Sequence, residues 1–521
     1  MRTGNVIKNI LSSWSGQICI LISSLLLRRV LARTLPVEYL GISNLFTNIL
    51  SILSFADLGL DLSVSHYLYE PLAQNDKKRI TAAVRYYKRI YFGVGCVVFT
   101  AGMLFMPFLH LLIGDCDIPH IRLIYFLYIL NTAVSYFNTH KITLITADQK
   151  LYIVTVYANV IKVVQTVLGI FVLVYTKAYI PYYLLQVLAT VLLNVLISIK
   201  ADRMYPYLKE IRKDKYTTQY LSVKKEISRN MPAMVMHKMA AVVVNGTDNV
   251  LLSVFAGLAS VGLYSNYAAL IVNISSIFSS LYYSMAASVG NYAASESSEK
   301  KTQLFYTLLF SEFWIFGFGA ICLFNLCSPF VNLWLGKDFL LGDGVLFILC
   351  LNFYLQGMRR VILAFRDAEG LFDQDKYKAV LEALINLAAS VYLARRFGMI
   401  GVFAGTTVSL ITTCAWLEPL ILFRYCLLGG MKRYFAGYLR YLAEVLAVGA
   451  VTCLICGRLG DTIAMFAVKA LVCVAVPNAC FFILHRKSRE FGELCARVSS
   501  AAKKLCCSFK CTRESSTPIS K

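Results

Sequence analysis

The chain is divided by a basic stretch at residues 200–229, KADRMYPYLKEIRKDKYTTQYLSVKKEISR, which carries nine Lys or Arg. Long apolar segments lie on both sides of this linker. Because a bilayer crossing needs about 20 apolar residues, we count six crossings before the linker and eight after it. The sequence therefore predicts two halves of six spans, followed by one additional pair.

The two halves also repeat each other locally. Asp148, Gln149 and Tyr152 recur with the same spacing as Asp373, Gln374 and Tyr377, and Ser43-Asn44 recurs as Ser265-Asn266. The offsets are 225 and 222 residues, so the two echoes nearly agree. Agreement of this kind is expected of a duplicated membrane bundle.

The composition predicts a helical membrane protein. Of the 521 residues, 58% are hydrophobic, whereas soluble domains have roughly 45–50%. Open sheets would leave unpaired backbone groups in hydrocarbon, and the segments lack the alternating pattern of barrel strands. The fold class is therefore all-α, a polytopic membrane protein with about 14 transmembrane helices in two pseudo-symmetric six-helix bundles and a C-terminal pair.

The predicted organisation has five parts. The spans are placed at 10–30, 42–62, 90–113, 121–145, 154–174, 179–199, 231–252, 261–285, 304–327, 345–365, 377–392, 402–422, 438–456 and 463–484. The parts are an N-terminal six-helix bundle (1–199), the basic cytoplasmic linker (200–229), a C-terminal six-helix bundle (230–430), two extra helices (431–485) and a basic cytoplasmic tail (486–521).

The distribution of basic residues predicts the orientation. With the N-terminus inside, the cytoplasmic segments hold 34 Lys or Arg, the external segments six and the spans eleven. Cytoplasmic loops of membrane proteins are enriched in these residues. Both termini are therefore expected in the cytoplasm. The same dispersal explains the net charge of +22 without nucleic acid as a partner.

Ionisable residues inside the spans are the candidate functional residues, because each costs at least ~2.5 kcal/mol to insert and should face a protein-lined interior. The cations that could line a cavity for an anionic cargo are Arg28, Arg29, Lys141, Lys162, Lys238, Arg359, Arg360 and Arg366. Snorkelling of long basic side chains to the headgroups is the alternative interpretation. Lys141 and Arg366 each lie seven residues before an Asp-Gln pair, which predicts that they face one central cavity from opposite halves.

The anions in or near the spans are candidates for ion coupling: Asp57, Asp61, Asp248 and Glu312. Asp248 lies in the polar run Asn245–Asn249 and could bind a proton or cation, although polar clusters also hold membrane helices together. The repeated Asp-Gln-x-x-Tyr is interpreted as a helix start with Asp as N-cap.

Enzyme chemistry has no support in the sequence. The motifs for nucleotide binding, zinc proteases and serine hydrolases are missing, so we expect no cofactor, no metal site and no catalytic residue. The sixteen Cys are scattered mostly in apolar spans and favour neither disulfides nor zinc.

The region 29–44 has Ala32-Arg33 and then Glu38-Tyr39-Leu40-Gly41 leading into the second span. With these residues it resembles the start of Wzx-type polysaccharide flippases of the multidrug/oligosaccharidyl-lipid/polysaccharide exporter superfamily. The fourteen-span layout and the basic middle loop agree with this resemblance along the chain. It implies a flippase that moves a polyprenyl-pyrophosphate-linked oligosaccharide across the bacterial cytoplasmic (inner) membrane by alternating access. Its partners would be that lipid-linked oligosaccharide, membrane lipids, a polysaccharide polymerase and glycosyltransferases.

Two alternatives stay open at this point. A multidrug or cation exporter of the related branch would need a predominantly acidic cavity, whereas the deep Lys and Arg favour an anionic cargo. A membrane-embedded glycosyltransferase or polymerase would need a sizeable loop with acidic catalytic residues, and the longest loop is the basic linker.

Overall fold

The structure is a computed structural model that describes residues 22–54, 67–72, 74–113, 118–148, 150–210, 246–295, 297–369, 371–460, 462–497 and 499. Side chains are described in these ranges except at 209–210, 280–295, 368, 372–373 and 375–376. Within these residues the chain is helical, with turns and no strand, which confirms the all-α prediction.

The longer helices are numbered in chain order. The first seven are α1 (22–34), α2 (Glu38–Leu53), α3 (Lys77–Phe105), α4 (Ile121–Tyr136), α5 (Thr139–Ala147), α6 (Leu151–Thr176) and α7 (Tyr179–Met204). After the linker come α8 (246–256), α9 (Leu258–Ser295), α10 (Ser298–Trp334), α11 (Asp343–Met358), α12 (Arg360–Ala368), α13 (Phe372–Phe397), α14 (Met399–Ser409), α15 (Ala415–Tyr425), α16 (Met431–Gly457) and α17 (Ile463–His485).

Ten helices of the described ranges are long and apolar enough to cross a membrane, and the apolar helix α4 is shorter. The protein is therefore a multi-pass membrane protein. The short segment 377–392, which contains Lys378 and Glu382, lies within one of these ten helices. The count of fourteen spans stays a prediction.

Two predicted spans are each interrupted by a turn within the described residues. Segment 121–145 is interrupted at Phe137 and Asn138, between α4 and α5. There, the Asn138 side-chain amide donates to the carbonyl of Asn194 (2.6 Å), and the Asn194 amide donates to the carbonyl of Val134 (2.8 Å). Amide side chains that bond the backbone compete with the helical pattern. Segment 345–365 is interrupted at Arg359, between α11 and α12.

The N-cap interpretation of Asp-Gln-x-x-Tyr is wrong. Lys150 is the N-cap of α6, and Asp148 ends α5 instead. The Asp148 carboxylate accepts from Lys150 Nζ (2.6 Å) and from the Tyr205 hydroxyl (2.7 Å). In the second half, α13 begins at Phe372, so Asp373 lies inside the helix. Asp148 therefore links the start of α6, through Lys150, to the end of α7, through Tyr205.

The structure divides into two compact units. Unit 1 comprises residues 1–266 and 382–405, and unit 2 comprises residues 267–381 and 406–521. One core of unit 1 lies among α3, α5 and α7, where Tyr87, Tyr91 and Leu144 are almost fully buried. Helix α10 forms the core of unit 2. Its Phe305, Phe310, Phe313 and Phe316 have no exposed surface, because α11, α16 and α17 pack around it.

Candidate functional site

Arg28 is a partly buried cation with neutral partners. One terminal nitrogen, NH1, donates to the Ser265 hydroxyl (3.0 Å) and to the Asn266 side-chain carbonyl (3.2 Å). Ser265 and Asn266 are 2% and 0% exposed. Among the described residues, Nε and NH2 of Arg28 form no hydrogen bond, and no carboxylate forms an ion pair with the guanidinium. Within the described part of the chain, the positive charge of Arg28 and the donors on Nε and NH2 therefore have no compensating partner.

A close crossing of α2 and α9 places the partners of Arg28. A Cβ on Gly41 would lie 2.3 Å from the carbonyl oxygen of Leu258, and a Cβ on Gly262 would lie 2.4 Å from that of Val37. Only glycine permits such an approach of two backbones, as at small-residue interfaces of membrane helices. Ser265 and Asn266 both donate to the Gly262 carbonyl, at 2.7 and 3.2 Å. Each side chain is thereby oriented to accept a hydrogen bond from Arg28.

Lys162 is a second partly buried cation of unit 1. It lies on α6 seven residues before Gly169, hence two turns, or about 10 Å, along the same helix face. A Cβ on Gly169 would lie 3.2 Å from the Tyr182 ring and 3.7 Å from Leu27, the neighbour of Arg28. Within the described part of the chain, Lys162 forms no ion pair. Lys162 is thus about two helical turns from the contact of α6 with Leu27. We call Arg28 with its partners Ser265 and Asn266 the Arg28 site, and Lys162 lies on a neighbouring helix of the same unit.

Tyrosine side chains accompany this site, and the sequence analysis did not single them out. The hydroxyls of Tyr128 and Tyr179 are 2.7 Å apart, and the rings of Tyr128 and Tyr183 stack at 3.9 Å. Gln186 donates to the hydroxyl of Tyr182, which lies within electrostatic range of Arg28. These tyrosines lie on two helices that are far apart in the sequence, so only the packing of α4 against α7 shows that they lie together.

The other cations predicted for unit 1 differ from Arg28. Arg29 is exposed. Lys141 donates to the Asp202 carboxylate (2.6 Å) and to the Ser198 hydroxyl (2.6 Å), so its charge is neutralised inside its own unit. Lys238 lies outside the described residues.

In unit 2, Arg359 belongs to a buried ion cluster. Its Nε donates to both carboxylate oxygens of Glu418 (2.7 and 2.8 Å), and Lys378 also donates to Glu418. The side chain of Glu418 is 1% exposed and that of Lys378 is 5% exposed. Three helices, α11 with its end at Arg359, α13 and α15, are joined by this cluster. The sequence analysis missed Glu418. Its position inside the predicted span 402–422 could have identified it, because ionisable residues in spans are functional candidates.

The two remaining predicted cations of unit 2 have acidic neighbours. Arg360 interacts electrostatically with Glu312, which has no exposed surface. Both Glu312 carboxylate oxygens lack a donor at hydrogen-bonding geometry among the described residues, although the backbone of Val361 interacts with the carboxylate. Arg366 pairs with the adjacent Asp367 at 2.7 Å.

The remaining acidic candidates are only partly described. Asp248 lies on α8, partly buried, and interacts electrostatically with Tyr264, whose ring is 4.6 Å from that of Phe403. Asp57 and Asp61 lie outside the described residues. In the described part of the chain, no three His, Cys, Asp or Glu are grouped to hold a metal ion.

Comparisons with known proteins agree with this architecture. The family model for polysaccharide biosynthesis proteins matches residues 6–289, more than half of the chain. Among curated proteins, none matches.

Solved structures resemble the chain along most of its length. One is the lipid II flippase MurJ in an inward closed conformation, with 15% sequence identity, a TM-score of 0.62, and coverage of 92% of this chain and 99% of that one. An inward-facing multidrug resistance MATE transporter has 14% identity, a TM-score of 0.60, and coverage of 77% and 94%. A mutant of the Vibrio cholerae MATE transporter VcmN has 11% identity, a TM-score of 0.53, and coverage of 81% and 96%. The chain therefore belongs to the polysaccharide biosynthesis protein family, and it has the fold shared by the flippase MurJ and the MATE transporters.

Proposed function

We propose that the protein is a flippase that moves a polyprenyl-pyrophosphate-linked oligosaccharide across the bacterial cytoplasmic membrane by alternating access, for cell-surface polysaccharide biosynthesis. It acts as a transporter and catalyses no covalent chemistry. The family match and the flippase-like fold support this proposal. A polymerase and glycosyltransferases would supply and use its cargo.

The observation that carries the proposal is the Arg28 site. The guanidinium is anchored through NH1 to two neutral, buried groups, which leaves Nε and NH2 for a ligand. A planar guanidinium donates two parallel hydrogen bonds to phosphate oxygens. Lys162 supplies a second, point-like positive charge in the same unit, on a helix that contacts α1 at Gly169. An anionic headgroup that leaves water would be stabilised there because these charges lie in a medium of low dielectric constant.

The other predicted residues take different proposed roles. Arg29, Lys238 and Arg360 remain candidate contacts for the cargo. Lys141, Arg359 and Arg366 form ion pairs, so we propose that they reach the cargo only after exchanging these partners. Among the acidic residues, Asp57, Asp61, Asp248 and Glu312 remain candidates for ion coupling. Glu312 is completely buried, so the free energy of its charged form depends strongly on its surroundings.

The test is translocation of a fluorescent lipid-linked oligosaccharide in proteoliposomes. Arg28→Gln should reduce the rate by at least about tenfold, because one charge-assisted contact is lost. Arg28→Lys should restore only part of the rate, because an ammonium cannot bind in bidentate fashion. Lys162→Met should reduce the rate as well.

The matched control is Arg29→Gln, which removes an exposed charge from the adjacent position of the same helix. The rate of this variant should stay closer to that of the wild type. Equal rates for Arg28→Gln and the wild type would remove the Arg28 site from the mechanism. Failure of the wild-type protein to move the lipid would contradict the flippase proposal itself.

A further inference from the structure

Two cavities of unit 2 share a wall. One has a volume of about 270 Å³ and is almost wholly apolar, and the other has a volume of about 330 Å³ and a mixed polar lining. Phe324, Asn325 and Cys453 line both. The two cavities are therefore adjacent parts of one elongated site, which we call the α10–α16 site.

The apolar part lies between α10, α11 and α16. Its lining includes Ile321, Phe347, Leu351 and Leu446. Along α16 it extends from Leu442 to Cys453, a rise of about 16 Å. This length is about half of a hydrocarbon core that is ≈ 30 Å thick, so the apolar part covers the depth of one leaflet.

The polar part carries both signs of charge. The positive charge is that of Lys469 on α17, which is 6% exposed. The negative charge is that of Asp343 at the start of α11. Asn325 donates its amide to the carbonyl of Ile321 (2.8 Å), which leaves its side-chain carbonyl to accept from a ligand. Ser328 and Asn332 add a hydroxyl and a second amide.

The polarity changes in the same direction on all three helices. On α10, the polar Asn325, Ser328 and Asn332 approach the end of the helix at Trp334. On α11, Asp343 is the first residue, and the apolar lining follows one turn later. On α16, the polar part begins at Cys453, one turn before the end at Gly457. Because the ends of spanning helices lie near the membrane surface, the polar part is at headgroup depth and the apolar part is at acyl-chain depth.

We infer that the α10–α16 site binds one phospholipid of the surrounding bilayer, with a zwitterionic headgroup that contains a primary ammonium. The headgroup phosphate contacts the Lys469 ammonium, and its own ammonium contacts the Asp343 carboxylate. One acyl chain occupies the apolar part. A single-leaflet length suits one acyl chain, and the paired charges suit a headgroup of no net charge. This inference does not depend on the identity of the cargo.

Native mass spectrometry of the purified protein tests the inference, with phosphatidylethanolamine and a polyprenyl phosphate as separate probes. The wild type should retain one phosphatidylethanolamine. Lys469→Gln should weaken binding about tenfold, because a charge-assisted contact is lost. Gly449→Leu should also weaken it: a Cβ there would lie 3.5 Å from Ile321, an ordinary contact, and the rest of the side chain would fill the apolar part.

Each variant has a matched control. Lys487→Gln removes an exposed lysine beyond the end of α17, and Gly437→Leu adds the same side chain on α16 at a position with no atom within 4 Å of a Cβ. Both controls should bind like the wild type. Unchanged binding of phosphatidylethanolamine in both Lys469→Gln and Gly449→Leu would overturn the inference. Retention of the polyprenyl phosphate that both of these variants weaken would also overturn it, because the site would then hold the polyprenyl lipid. Binding weakened in only one of the two test variants, relative to its control, would still support the site.

Discussion

At the scale of single residues, Glu418 is the most constrained carboxylate that the structure shows with ion-pair partners. It accepts from Arg359 and Lys378 at once, and all three side chains are at least four-fifths buried. The cluster holds two positive charges and one negative charge. Removing the carboxylate would therefore take away the negative charge that both cations share in a medium of low dielectric constant.

We expect Glu418→Gln, which conserves the size of the side chain, to lower the free energy of unfolding by about 3–5 kcal/mol. Asp367→Asn is the control. Asp367 also forms an ion pair, with Arg366, but its side chain is 54% exposed. This control should change stability by less than about 1 kcal/mol. Denaturant unfolding of the purified protein in detergent measures both. Equal losses in the two variants would contradict the structural role of Glu418.

At the scale of elements, the contact between α2 and α9 depends on two glycines. Gly41 and Gly262 would both place a Cβ within 2.5 Å of a backbone oxygen of the other helix. A backbone oxygen cannot move aside by a change of rotamer, as the end of a flexible side chain can. The two helices would therefore have to move apart. Their separation would also move Ser265 and Asn266 away from Arg28.

Gly262→Ala should therefore destabilise the protein by about 1–3 kcal/mol and slow translocation. Gly93→Ala is the matched control, because a Cβ at Gly93 meets no atom within 4 Å and alanine favours helix. The control should be neutral or more stable by up to about 1 kcal/mol. Unfolding curves and proteoliposome rates check both effects. A tolerated Gly262→Ala would show that α2 and α9 are not held at this distance.

At the scale of the whole molecule, the topology remains to be measured. We predict that both termini and the linker 200–229 are cytoplasmic, because 34 basic residues then lie inside and six outside. The prediction is tested with Thr217→Cys on a background without accessible native thiols. A membrane-impermeant thiol reagent should label this residue in inverted vesicles and not in intact cells. Labelling in intact cells would reverse the orientation.

Much of the fold follows from patterns along the chain. Apolar segments of spanning length, with no alternation, specify membrane helices, because lipid leaves the backbone no other way to satisfy its hydrogen bonds. The echo of Ser43-Asn44 at Ser265-Asn266 marked a pair that does contact a functional candidate, Arg28. Both features are local or periodic along the chain, so they can be recognised in a single sequence.

What the sequence by itself determined is the helical membrane class, the positions of most long helices and the resemblance to polysaccharide flippases. Only the tertiary structure decided which cations have partners: Arg28 faces neutral groups, whereas Arg359 and Lys141 face carboxylates. It also decided that Asp148 ties α6 to α7 instead of capping a helix. The physical reason is that spanning helices are apolar on nearly every face. Their periodicity therefore does not specify their rotation, and the partner of a buried charge depends on how each helix is turned against its neighbours.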